Sequence, residues 1–102
     1  MIIYDMKTED LINPIGIDEK KPRFSWKLQS KISGTLQTAY RIIVRSDNDT
    51  VWDSGKVTSD RSICIEYDGR SLSAMTKYSW QVSVWDEQSN EYTSDTADFE
   101  QA

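Results

Sequence analysis

The chain has 102 residues, with 17 acidic and 12 basic side chains, no histidine and a formal charge of −5. That length supports one domain spanning 1–102, with one modest core, because a domain of this size buries roughly two thirds of the surface its unfolded chain exposes. The acidic balance excludes the basic patch that nucleic acid selects for and disfavours an anionic membrane surface, so neither is an expected partner.

Seven extended segments are predicted, in chain order. The first covers 2–7; its apolar start, Met1-Ile2-Ile3-Tyr4, is interrupted at Asp5, too early for a signal peptide or a membrane span. The compartment is left open between secreted, periplasmic and cytoplasmic. Residues 13–22 hold both prolines, Pro14 and Pro22, and read as an extended connector crossing between sheets, with Gly16 free to take a positive φ. The second segment, 23–28, alternates Phe24, Trp26 and Leu28 against Arg23, Ser25 and Lys27. The third, 38–46, sets Tyr40, Ile42 and Val44 opposite Arg41 and Arg45. Asp47-Asn48-Asp49 then turns into the fourth, Val51-Trp52-Asp53.

The fifth segment, 62–67, is expected to direct Ile63, Ile65 and Tyr67 inward and Cys64 away from the core. The sixth, 76–85, is the clearest: Tyr78, Trp80, Val82 and Val84 alternate with Ser79, Gln81 and Ser83. Leu72 and Thr76 lead into Tyr78 at the spacing of a strand that rounds a corner, with the tyrosine hydroxyl bonded back to nearby backbone. The seventh, 93–99, is weakly apolar and reads as an edge strand. Short strands at roughly ten-residue spacing with no helical run between them predict a seven-stranded antiparallel β-sandwich. Val51-Trp52-Asp53 and Val84-Trp85-Asp86 echo each other as two strands that end in Trp-Asp. The close at Phe99-Glu100-Gln101-Ala102 suits an excised module.

The residues that chemistry requires are sparse. Without histidine, serine-triad and cysteine–histidine catalysis and most transition-metal sites lose their usual base or ligand. The single Cys64 forms no internal disulfide and has no base to activate it. Glu9-Asp10, Asp18-Glu19 and Asp86-Glu87 pair carboxylates in sequence, but in expected surface loops where nothing raises a pKa. Asp47-Asn48-Asp49 opens like a calcium loop, yet its third ligand position falls on Val51. Asn48-Asp49-Thr50 matches the glycosylation sequon, a weak pattern. Gly34, Gly55 and Gly69 are isolated, so no loop cradles a phosphate; no catalytic residue, metal or cofactor is expected. The remaining candidates are aromatic: Trp52, Trp85 and Tyr92, as an interface with another domain or as a platform for a sugar face.

Two resemblances extend this reading. Pro22 and Trp26, Tyr40, and Leu72, Thr76 and Tyr78 resemble the fibronectin type III pattern, an immunoglobulin-like sandwich in which the second-strand tryptophan packs centrally; Ala74-Met75 stand where that family often has Pro-Gly. Six blocks then follow in order: Asn13-Pro14-Ile15-Gly16-Ile17-Asp18, Pro22-Arg23-Phe24-Ser25-Trp26-Lys27-Leu28, Gln37-Thr38-Ala39-Tyr40-Arg41-Ile42, Trp52-Asp53-Ser54-Gly55-Lys56-Val57, Tyr78-Ser79-Trp80 and Val84-Trp85-Asp86. Together they resemble the N-terminal domain of bacterial α-L-rhamnosidases. The resemblance implies a non-catalytic accessory domain of a glycoside hydrolase whose barrel, elsewhere in the polypeptide, carries the catalytic carboxylates. The implied partners are other domains of the same polypeptide. The alternatives are a carbohydrate-binding module that uses the exposed aromatics and a protein-interaction module.

Overall fold

Alternating apolar side chains cover two facing sheets in a computed structural model that describes residues 1–30 and 36–102. In chain order the strands are β1 (Ile2–Thr8), β2 (Ile15–Ile17), β3 (Arg23–Gln29), β4 (Ala39–Ser46), β5 (Asp49–Asp53), β6 (Ile65–Glu66), β7 (Lys77–Trp85), β8 (Glu91–Thr93) and β9 (Ala97–Gln101). One sheet has the order β1-β3-β6; the other runs β2-β9-β7-β4-β5, with β8 also paired to β7. All pairings are antiparallel except β2 with β9. The expected all-β immunoglobulin-like sandwich is therefore present. Gly34 lies outside the described residues.

The 13–22 connector crosses from β1 in one sheet to β2 in the other and back to β3, with Gly16 at φ 81. Short strands β2 and β8 are additional to the seven expected. The 93–99 segment divides between β8 and β9, and β9 is not an edge: it lies between β7 and β2. Ser94 is the reason for the division. Its N–H donates to the Val82 carbonyl at 2.9 Å and its Oγ accepts from the Val82 N–H at 3.0 Å, so one serine stands in for a ladder partner between the two strands. Ser54 does the same beside Ile42, at 2.9 and 2.8 Å.

A second difference concerns Ile63, which is 66% exposed rather than inward. Cys64 adopts φ 56 and donates its N–H to Ser25 Oγ at 3.0 Å, which breaks the period-two pleat and shortens β6 to two residues. Ile65 and Tyr67 remain buried, as expected.

The core lies between the sheets. Phe24 sits at its centre, with ring centroids 4.7 Å from Trp80, 5.8 Å from Phe99 and 6.3 Å from Trp52. Ile42, Val44, Val82 and Val84 are completely buried around it. Each fully buried large apolar side chain contributes roughly 1.5–3 kcal/mol, so packing rather than cross-linking accounts for the fold. The corner at the start of β7 forms as expected: the Ser73 N–H donates to the Tyr78 hydroxyl at 2.7 Å.

Candidate functional site

Strand register decides where the three candidate aromatics point, because directly paired residues share a face. Trp52 pairs with Val44 and Tyr92 with Val84, so both rings belong to the core side of the larger sheet. Trp85 pairs with Ala39 and Glu91 and occupies the outer face. All three are half-buried. Trp52 meets Tyr67 edge-on at 5.3 Å and lies over Phe24. Trp85 is covered by Lys56, whose Nζ is 4.6 Å from the ring centroid, a cation–π pairing. Tyr92 packs on the core and donates its hydroxyl to Asp86 Oδ2 at 3.2 Å. Trp52 stands on the β5 edge and Tyr92 on β8, at the opposite side of β7. The rings thus lie on two faces and at two edges, and they do not form one platform.

Three carboxylates, those of Asp86, Asp53 and Glu9, are engaged by donors. Asp86 differs from the solvated position expected for it: it is only 6% exposed. Its Oδ1 accepts from the backbone N–H groups of Gln88 and Asn90, both at 2.9 Å, and its Oδ2 accepts from Asn90 Nδ2 at 3.3 Å. These donors, the Asn90 N–H foremost, hold its carboxyl below the usual range. Asp53 closes the other Trp-Asp end in the same way, accepting from the Gly55 N–H at 2.9 Å where Gly55 takes φ 66. Arg41 also clamps Asp53 through Nε, at 2.9 Å, and Nη2, and this pairing brings its carboxyl down to about 2. The echo of Trp-Asp in the sequence is therefore two strand ends, each closed by an aspartate-capped turn. Glu9 accepts from the Arg23 N–H and guanidinium, both at 2.8 Å, and is likewise held ionised. A general acid needs the opposite shift.

A groove of about 420 Å³ runs along the outer face of β1 and β3, between Tyr4, Lys27, Ser25 and Ile63. Asp5 lies 3.0 Å from Lys27 and 3.7 Å from Lys7, and with Asp10 also on the lining the acidic and basic groups there balance. Among the described residues, no group of three or more His, Cys, Asp or Glu side chains is placed to hold a metal ion. Cys64 is exposed.

Sequence reasoning missed Gln37, which is buried and accepts from the Trp26 indole. A polar residue beside a tryptophan-bearing strand carries no periodic signal. The only hint was its place at the head of a resembling block.

Comparison with known proteins converges on one group. A family model described as Rha78A-like, N-terminal immunoglobulin domain, matches residues 3–102. An α-L-rhamnosidase of Formosa agariphila is 41% identical over 86 residues, covering 78% of this chain and 9% of its own length. One of Streptomyces avermitilis is 44% identical over 78 residues, covering 72% and 8%. The solved structure of the Streptomyces avermitilis α-L-rhamnosidase complexed with L-rhamnose superposes at TM-score 0.93 with 34% identity, over 99% of this chain and 10% of that one. The α-L-rhamnosidase of Dictyoglumus thermophilum gives 0.92 with 39% identity, over 100% and 12%. The chain spans about a tenth of the length of these relatives.

Proposed function

The chain belongs to the family of Rha78A-like N-terminal immunoglobulin domains, and we propose that it is a non-catalytic accessory domain of an α-L-rhamnosidase-type glycoside hydrolase, packing against or spacing the neighbouring domains. The observation that carries this reading is the use made of three of its carboxylates. Glu9, Asp53 and Asp86 each fasten a turn or a strand end, and each is held in the ionised form by N–H donors. A retaining or inverting glycosidase needs one carboxyl kept protonated opposite a second, free one. Hydrolysis of terminal α-L-rhamnose accordingly belongs, in this proposal, to the remainder of the polypeptide.

Deletion of residues 1–102 from the full-length enzyme tests the proposal. The expected result is a lower melting temperature and lower yield of soluble protein, with preference for α-L-rhamnosides over other glycosides retained. An enzyme unchanged in both stability and activity after the deletion would refute the accessory role.

A further inference from the structure

Where β9 ends, the backbone is pinned on both sides. The Gln101 N–H donates to the Thr76 carbonyl at 3.0 Å, and the Ala102 N–H donates to the Ile17 carbonyl at 2.9 Å. Gln101 Nε2 also donates to the Glu19 carbonyl at 2.7 Å. Because β2 runs parallel to β9 and β7 antiparallel to it, β9 leaves the sheet at the Ile17 end, between residues 18–21 and the turn that precedes β7. These bonds leave little slack, so a polypeptide continuing from Ala102 departs in a direction that this domain sets.

Beside that exit stands Met75, at 85% the most exposed large apolar side chain among the described residues. It is next in sequence to Thr76, whose carbonyl anchors Gln101. Its turn is fixed: Met75 takes φ 55, Thr76 Oγ1 donates to the Ala74 carbonyl at 3.1 Å, and the Ser73 N–H donates to the Tyr78 hydroxyl at 2.7 Å. A left-handed backbone at methionine persists only where surrounding contacts impose it. On the other side of the exit, Asp18, Glu19, Lys20, Lys21, Arg23 and Glu66 line an open cleft of about 510 Å³, three groups of each sign. One exposed apolar residue needs no explanation by itself; an apolar anchor with a mixed polar rim around a pinned exit has the composition of an interface. In the relatives the matched stretch is about a tenth of the length, and the matching family is an N-terminal domain, so most of each of those polypeptides continues from β9.

We propose that Met75, with the charged rim of residues 18–21, is the docking surface for the domain that follows β9 in the same polypeptide, which receives the methionine in an apolar pocket. This rests on the accessory-domain reading and names the surface through which that role is exerted. An unbranched thioether adapts its shape to such a pocket. In residues 1–102 alone the same side chain lies in solvent.

Oxidation of the full-length enzyme by hydrogen peroxide tests it without substitutions, with Met75 sulfoxide followed by mass spectrometry of the tryptic peptide 71–77. Met75 is expected to oxidise roughly tenfold more slowly in the native enzyme than in urea, since its own domain leaves it exposed. A photo-crosslinking residue, Met75→p-benzoylphenylalanine, then identifies the occupant: the full-length enzyme should form an intramolecular cross-link to the domain that follows residue 102. Oxidation at the unfolded rate would overturn the proposal. So would a cross-link to a second copy, or none at all. Any of those results together with a destabilising 1–102 deletion would reject this surface alone; an inert deletion would reject the accessory role itself.

Discussion

The indole N–H of Trp26 donates to Oε1 of Gln37 at 3.1 Å, where both side chains are buried. The amide does not stop there: Gln37 Nε2 donates to the carbonyls of Ser59 at 3.0 Å and Arg61 at 2.8 Å. One side chain thus satisfies the most central polar atom of β3 and holds the segment that leads into β6. An indole N–H left unpaired in the core costs about 1–3 kcal/mol.

Replacement of Gln37 by alanine should therefore destabilise the domain by about 2–3 kcal/mol, measured by urea unfolding. Trp26→Phe removes the donor, and the double variant should show a coupling of about 1 kcal/mol against the two single variants. Strict additivity would mean that the bond contributes nothing.

Two backbone sites respond in opposite directions. Met75 takes φ 55 with its side chain 85% exposed, in the turn before β7. Met75→Gly removes left-handed strain and loses no packing, so it should raise stability by about 0.5–1 kcal/mol. Gly69 is the contrary case: a Cβ there would lie 2.4 Å from Trp52 Cβ and 2.7 Å from the Val51 carbonyl oxygen. Gly69→Ala should cost about 2 kcal/mol, with a shift in tryptophan emission as Trp52 is displaced. Thermal melts of the two variants should move to opposite sides of wild type.

Stability should fall at both ends of the pH scale. Asp53 is lowered from 3.8 to about 2 by the Arg41 guanidinium, and Asp86 and Glu9 are lowered by their N–H donors. The unfolded chain then takes up these protons at higher pH than the folded one. Their contribution is complete at neutral pH and declines as pH falls through the carboxylate range; that of Asp53 is largely lost once pH reaches its folded value of about 2. Burial raises Tyr67 from 10.0 to about 12, and its hydroxyl donates to the Arg70 carbonyl at 2.5 Å. The unfolded phenol therefore ionises first, and that contribution is lost between about pH 10 and 12. Urea midpoints at pH 3, 7 and 10.5 should be highest at 7. Asp53→Asn should flatten the acidic limb, and a slope unchanged in that variant would exclude Asp53 as a source.

Titration of the domain with L-rhamnose followed by tryptophan emission should give no saturable change up to millimolar sugar. Trp85 is covered by Lys56, and Trp52 and Tyr92 lean onto the core, so no pair of rings is free to sandwich a pyranose. A saturable change that is lost in Trp85→Ala would restore the sugar-platform reading.

The sequence alone determined the strand faces. In β3, β4 and β7 the inward sets Phe24/Trp26, Tyr40/Ile42/Val44 and Tyr78/Trp80/Val82/Val84 follow from a side-chain period of two, and the Tyr78 corner from its spacing to Leu72 and Thr76. The ordered blocks likewise pointed to the family. What only the tertiary structure decided are features that rest on single groups brought together from distant positions. Ser94 ends β8 by pairing with Val82, Cys64 turns Ile63 outward through a left-handed φ, and Gln37 meets Trp26 in the core. The same holds for Asp86, whose burial depends on the turn through Asn90 rather than on its own polarity, and for the separation of Trp52, Trp85 and Tyr92 onto two faces. Periodicity reports which face of a strand is apolar. It carries no record of which strands become neighbours or which polar atom needs a partner, and those two relations position every candidate group in this domain.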